Sequence, residues 1–153
     1  MHWACAAGFL EVARWLREQS VPLDVQDEHG RQPMHFACMG GKINVTRWLH
    51  ESGGVPLDVE DNSGKQPMHC ACLAGKTDMA RWLHARGVAL DVKNKNGVQP
   101  IHDACQEGRL EMVRWLHERG VPLDVTTKGG HTPLGLAAHH EDLAAWLSSL
   151  DGQ

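Results

Sequence analysis

The chain repeats itself with a period of 33 residues. Met1, Met34, Met68, Ile101 and Leu134 hold equivalent places, separated by 33, 34, 33 and 33 residues. The copies run 1–33, 34–67, 68–100, 101–133 and, shortened, 134–153; a glycine inserted at Gly53-Gly54 accounts for the one longer step. A fixed period of this size means stacked supersecondary units, each burying its apolar surface against its neighbours. The 153 residues are therefore expected to form one domain without a single central core.

Each copy parses into the same elements. Pro33, Pro67, Pro100 and Pro133 suit the first position of a helix, where a missing N–H costs nothing. The short helix that follows should stop near Gly41, Gly75 or Gly108, residues able to take a left-handed conformation. A second helix is predicted over Leu110–Glu118 and its counterparts. Leu110, Val113 and Leu116, with Met112 and Trp115, give it apolar rows at three- and four-residue spacing. An extended stretch (Val121-Pro122-Leu123-Asp124-Val125) leads to a turn cluster at Lys128-Gly129-Gly130. The matching clusters are Asp27-Glu28-His29-Gly30, Asp61-Asn62-Ser63-Gly64 and Asn94-Lys95-Asn96-Gly97, where glycine supplies the positive φ of a tight hairpin turn.

Helix, turn, helix and projecting hairpin at this period resemble the ankyrin repeat. The resemblance rests on Thr132-Pro133-Leu134, on Gln-Pro-Met-His-x-Ala-Cys at 32–38 and 66–72, on the glycine after the second helix and on the Asp/Asn-x-x-Gly tips. It covers the whole chain and implies an all-α ankyrin-repeat solenoid, one helix-turn-helix plus a β-hairpin loop per copy. Gln32, Gln66 and Gln99 stand where the family has a capping threonine, which predicts a weaker cap. Trp15, Trp48, Trp82, Trp115 and Trp146 stand where leucine is usual. Asp24, Asp58, Asp91 and Asp124 stand where asparagine is frequent, which argues against hydroxylation at that position. The first copy enters after the Thr-Pro position, so no polar N-terminal cap is visible, whereas Ser148–Gln153 suit a C-terminal cap.

Four His-x-x-Cys pairs recur: His2/Cys5, His35/Cys38, His69/Cys72 and His102/Cys105. Each places two side chains on one helical face. A zinc site needs about four ligands at roughly 2.0–2.3 Å, and stacked helices lie about 8–10 Å apart, so neighbouring pairs do not readily close one shell. The histidine is expected to be a structural hydrogen-bonding residue and the cysteine a small buried filler. A second column, His50, His84 and His117, sits late in the second helix, a common place for histidine. Cys5, Cys38, Cys70, Cys72 and Cys105 are odd in number and lie on separate helices, which does not suit a disulfide framework. Reduced thiols point to a cytoplasmic or nuclear setting. The tryptophan column is expected in the core, each N–H finding a partner at its edge. Glu107 and Glu111 read as a solvated helix face. With no nucleophile elbow, phosphate loop or His-Glu-x-x-His, the reading is of a non-enzyme without cofactor or metal.

Binding is expected where copies differ within a constant frame. In the resembled family, partners dock on the concave side formed by first helices and hairpin tips. Carried onto this chain, the groove columns are Trp3, Phe36, Cys70, Asp103, Leu136 and Ala6, Met39, Leu73, Gln106, His139. The groove would run from an apolar end (Trp3, Phe9, Phe36, Met39, Leu73) to a polar one (Asp103, Gln106, Glu107). Tip residues His29, Arg31, Lys65 and Lys95 would complete the site. A net charge of −4 opposes sequence-independent nucleic-acid binding, and no apolar run approaches the roughly 20 residues of a membrane span. The partner expected is an unidentified protein, bound by a monomer or by part of a larger chain. Two other readings compete: a structural spacer within a larger repeat protein, and a metal-binding protein built on the His/Cys columns.

Overall fold

The computed structural model describes residues 1–150. Asp151, Gly152 and Gln153, the end of the anticipated C-terminal cap, lie outside the described residues. Five helix pairs follow one another: α1 (His2–Ala7) and α2 (Leu10–Glu18); α3 (Pro33–Met39) and α4 (Ile43–Arg47); α5 (Pro67–Leu73) and α6 (Thr77–His84); α7 (Pro100–Gln106) and α8 (Leu110–Glu118); α9 (Pro133–Leu136) and α10 (Glu141–Leu150). A π-helical turn, Trp48–Ser52, continues α4, and a 3-10 turn, Ala137–His139, continues α9. The helix predicted over 110–118 has those bounds.

Proline opens α3, α5, α7 and α9, each after an extended residue. In the middle three copies that residue is glutamine, and its own backbone N–H donates to the ring of the third helical residue. Gln32, Gln66 and Gln99 donate to Nδ1 of His35, His69 and His102 at 3.0, 3.1 and 3.1 Å. The glutamine side chains add little, since Gln32 Oε1 and Gln99 Oε1 are buried without a partner. Thr132 alone accepts from the helix, taking the Gly135 N–H at 3.0 Å. The weaker glutamine cap thus leans on histidine.

The first helices stack in a row, α1 on α3 on α5 on α7 on α9. Their inward residues and those of the second helices form a continuous core that includes Met34, Leu49, Met68, Leu83, Ile101, Met112 and Leu116, all fully buried. Burying one such side chain contributes about 1.5–3 kcal/mol. The extra residue of the second copy is absorbed at the end of its second helix. The Gly53 N–H reaches back five residues to Trp48 O at 3.1 Å, and the Val55 N–H six residues to Leu49 O at 3.0 Å. Elsewhere the equivalent valine reaches back five, as Val121 does to Leu116 O. A π turn is how a helix accommodates one added residue.

The linkers depart from expectation. The stretch after each second helix bends at its Leu-Asp step, where Leu23, Leu57 and Leu90 turn into the core. The hairpins shrink to tight turns, and no strand occurs among the described residues. One cross-bond closes each turn: Asp27, Asp61, Asn94 and Thr127 donate their N–H groups to the carbonyls of Arg31, Lys65, Val98 and His131 at 2.9–3.0 Å. Gly30, Gly64, Gly97 and Gly130 supply the positive φ. One backbone bond then joins each turn to the next: Asn62 N–H to His29 O, Lys95 N–H to Ser63 O and Lys128 N–H to Asn96 O.

A side chain also braces each turn from inside. Asp27 Oδ1 accepts the N–H groups of His29 (3.0 Å) and Arg31 (2.8 Å), and Asp61 Oδ1 those of Ser63 (2.8 Å) and Lys65 (2.9 Å). Burial alone would raise these carboxyls. The bonds outweigh it, holding Asp27 at about 2 and Asp61 below the usual carboxylate range. Their charged forms stabilise the fold above the ordinary carboxylate value, and that contribution is lost as pH falls from about 4 through the folded values. Asn94 holds its turn as an amide, with bonds of 2.9 Å to the N–H groups of Asn96 and Val98. The double variant Asp27→Asn, Asp61→Asn should therefore fold, and should lose about 1–2 kcal/mol less than the parent between pH 4 and pH 2. Urea unfolding at the two pH values checks this.

Candidate protein-binding face

The expected site residues sit at repeating positions of the stacked first helices, but in unlike environments. Trp3 is 74% exposed, with its ring tilted against that of Phe9, centroids 5.5 Å apart. Phe36 is half-buried, bracketed by first-copy side chains: the His2 ring stands against it at 5.0 Å and the Arg31 guanidinium lies over it at 4.8 Å. Met39 and Leu73 are half-buried, and Gln106 and Glu107 are exposed.

Two expected groove residues are not on the surface. Cys70 is 6% and Asp103 2% exposed. Asp103 is met by a side chain from two copies away: Lys65 reaches it from the second turn, Nζ donating to Oδ1 at 2.6 Å. Asp103 Oδ2 is buried with no partner. Burial therefore raises the Asp103 carboxyl above its ordinary value, against the pull of Lys65 and the neighbouring histidines. The expected groove is interrupted here by an internal ion pair.

Other turn residues are also occupied internally. Arg31 Nη2 is 2.7 Å from Asp27 Oδ2. Lys95 Nζ donates to Asn62 O at 2.8 Å, and His29 is exposed beside Glu28. A recess beside the fourth turn takes in Gln106, Lys128, His131 and Leu136, extending the polar end of the face.

The first histidine column is structural. His35, His69 and His102 are buried; Nδ1 accepts the glutamine N–H, and Nε2 donates to Lys65 O (3.1 Å), Val98 O (3.0 Å) and Val125 O (3.3 Å). Both ring nitrogens are thus committed to backbone. Each cysteine is free and buried, and burial pushes Cys5 up to about 11 and Cys70 and Cys105 up to about 12. Thiolate, the form that ligates metals or attacks, is suppressed. Among the described residues no three His, Cys, Asp or Glu side chains converge as a metal site.

The tryptophan column is core only in part. Trp115 is buried, Trp48, Trp82 and Trp146 are half-buried, and Trp15 is 57% exposed, contrary to expectation. Nor do the ring N–H groups all find partners: Trp82 Nε1 and Trp115 Nε1 are buried without one.

Five in-phase helix pairs with turn-to-turn contacts are the geometry that the resemblance implied. A family model described as ankyrin repeats (3 copies) matches residues 1–94 and 74–152. The chain belongs to the ankyrin repeat family. No curated protein matches it. Ankyrin repeats are generally protein–protein interaction modules, which suits the rigid row of varied side chains seen here. Among the described residues, no helix is long and apolar enough to cross a membrane.

Proposed function

We propose that this ankyrin-repeat chain binds a partner protein along its first-helix face and turn tips. The observation that supports it is the strip from Trp3 and Phe9 through Phe36, Met39 and Leu73. Exposed and half-exposed apolar groups there lead into the polar Gln106 and Glu107. Aromatic anchors beside a polar rim characterise protein-binding surfaces. Cys70 and Asp103 shape the floor of this strip from below and do not touch the partner. Arg31 and Lys65 act the same way, holding Phe36 and Asp103 in place, while His29 and Lys95 border the partner at the tips. The reading places the protein in the cytoplasm or nucleus.

Capture from native lysate should recover a specific protein with the parent chain and lose it with the double variant Phe36→Asp, Met39→Asp. The single variant Trp3→Asp changes a side chain that packs on little, so it should keep the parent melting temperature and still weaken capture about tenfold or more. Undiminished capture by both variants would sink the reading.

A further inference from the structure

Among the described residues, the exposed large apolar side chains are Trp3, Phe9, Val12 and Trp15, all in the first copy. Outside the groove strip, Val12 and Trp15 lie on α2, and with Phe9 they occupy positions that the other copies cover. Val45, Met79, Met112 and Leu143 correspond to Val12, and each is at most 1% exposed. Lys42, Lys76, Arg109 and His140 correspond to Phe9. Each lies against a glycine of the copy before: Gly8, Gly41, Gly75 and Gly108. Arg109 Nε and His140 Nε2 also reach carbonyls there, Leu73 O at 3.1 Å and Gln106 O at 2.9 Å.

The interior also shows what covers the tryptophan. Trp115 is flanked by two residues of the preceding second helix, Arg81 at 5.7 Å and His84 edge-on at 6.2 Å. Trp146 is held alike, by Arg114 at 5.6 Å and His117 at 5.8 Å. At the junction after the π turn, Trp82 takes its own copy's Arg86 instead, at 3.6 Å. Around Trp15 the charges favour a cation. Glu11 and Glu18, four residues before and three after, share its side of α2, and Glu11 is only loosely met by Arg14, at 3.8 Å. Arg17 is the other cation on this helix.

We propose that Phe9, Val12 and Trp15 form a docking face for an ankyrin-type helical hairpin whose second helix carries arginine and histidine three residues apart. The face continues the inter-copy interface already present inside the molecule. Valine enters the apolar seam, Phe9 lies on the glycine turn of the incoming hairpin, and the arginine and histidine clamp Trp15 between them, the arginine also meeting Glu11 or Glu18. The copy from Leu134 onward does not supply the clamp to a second molecule, because it has Ala145 and Ser148 at those positions.

The test joins one further copy, with the sequence of residues 68–100, in phase ahead of Met1 of the full chain. The melting temperature should rise by on the order of 5–10 °C, and acrylamide quenching of tryptophan emission should fall, a fall absent when Trp15 is replaced by phenylalanine. A second version, with alanine and serine in place of the added copy's arginine and histidine, should lose about half of the rise. No rise, or equal rises in the two versions, overturns the proposal. So does sedimentation of the unextended chain as a dimer that Trp15→Glu abolishes, since a second copy would then be the occupant.

Discussion

Replacing Lys65 with methionine should destabilise the protein by about 3–5 kcal/mol near neutral pH, a large share of the stability of a small protein. The substitution removes the donor to Asp103 Oδ1, and Oδ2 already lacks one. A carboxylate in a 2%-exposed residue would then have no counter-charge. The double variant Lys65→Met, Asp103→Leu removes both charges and should return to within about 1 kcal/mol of the parent, or exceed it. The single variant also has a pH signature. Its Asp103 carboxyl, already raised by burial, rises further without Lys65, so the deficit grows as pH rises through that value and shrinks below the ordinary carboxylate range. Urea unfolding of the three proteins at pH 4.5 and 7.5 reads both effects. A deficit under about 1 kcal/mol at pH 7.5 would show that Asp103 finds other partners.

Acidification of the parent chain from pH 7.5 to 5.5 should cost up to about 4 kcal/mol, through His35, His69 and His102 together. Burial lowers all three, although Asp61 beside His35 and Asp103 beside His69 and His102 pull the other way. The bonding shows why the charged ring is excluded. Nδ1 faces a backbone N–H and has no room for a proton of its own, while Nε2 already donates. The folded chain therefore binds fewer protons than the unfolded one below the ordinary imidazole value near 6.5, and stability falls as pH drops through it. This window lies above that of Asp27 and Asp61, so the two losses appear as separate slopes. A flat profile between pH 7.5 and 5.5 would mean that the three rings accept protons without losing their backbone partners.

Much of the fold was legible because its causes are local and recur. Proline before each first helix, glycine after it and the apolar rows of Leu110–Glu118 act within a few residues, and the structure places those helices accordingly. The structural role of His35 and its equivalents was legible for the same reason, with one partner three residues away. The site was harder to read because its exposures are set from a distance. Nothing near Asp103 announces that Lys65, 38 residues earlier, will close over it. Trp15 and Trp115 share a local sequence frame, yet one is open and the other buried. The difference lies in Arg81 and His84, which stand before Trp115 in the stack, while none of the described residues is stacked in that way before Trp15. The π turn escaped as well: the added glycine was visible at Gly53-Gly54, but the winding change falls on the five residues before it.

The bonds that join one turn to the next run between main-chain atoms, Asn62 to His29, Lys95 to Ser63 and Lys128 to Asn96. These main-chain bonds do not depend on the charge their residue carries, although Asn62 Nδ2 and Lys95 Nζ each add a bond to the turn before, to Glu28 O at 3.3 Å and Asn62 O at 2.8 Å. Glu28, Asn62, Lys95 and Lys128 hold the same place in four successive turns, and span the range from anion to cation. The edge of the solenoid thus separates lettering from masonry: its charge can be rewritten one position at a time while the course of turns beneath stays bonded.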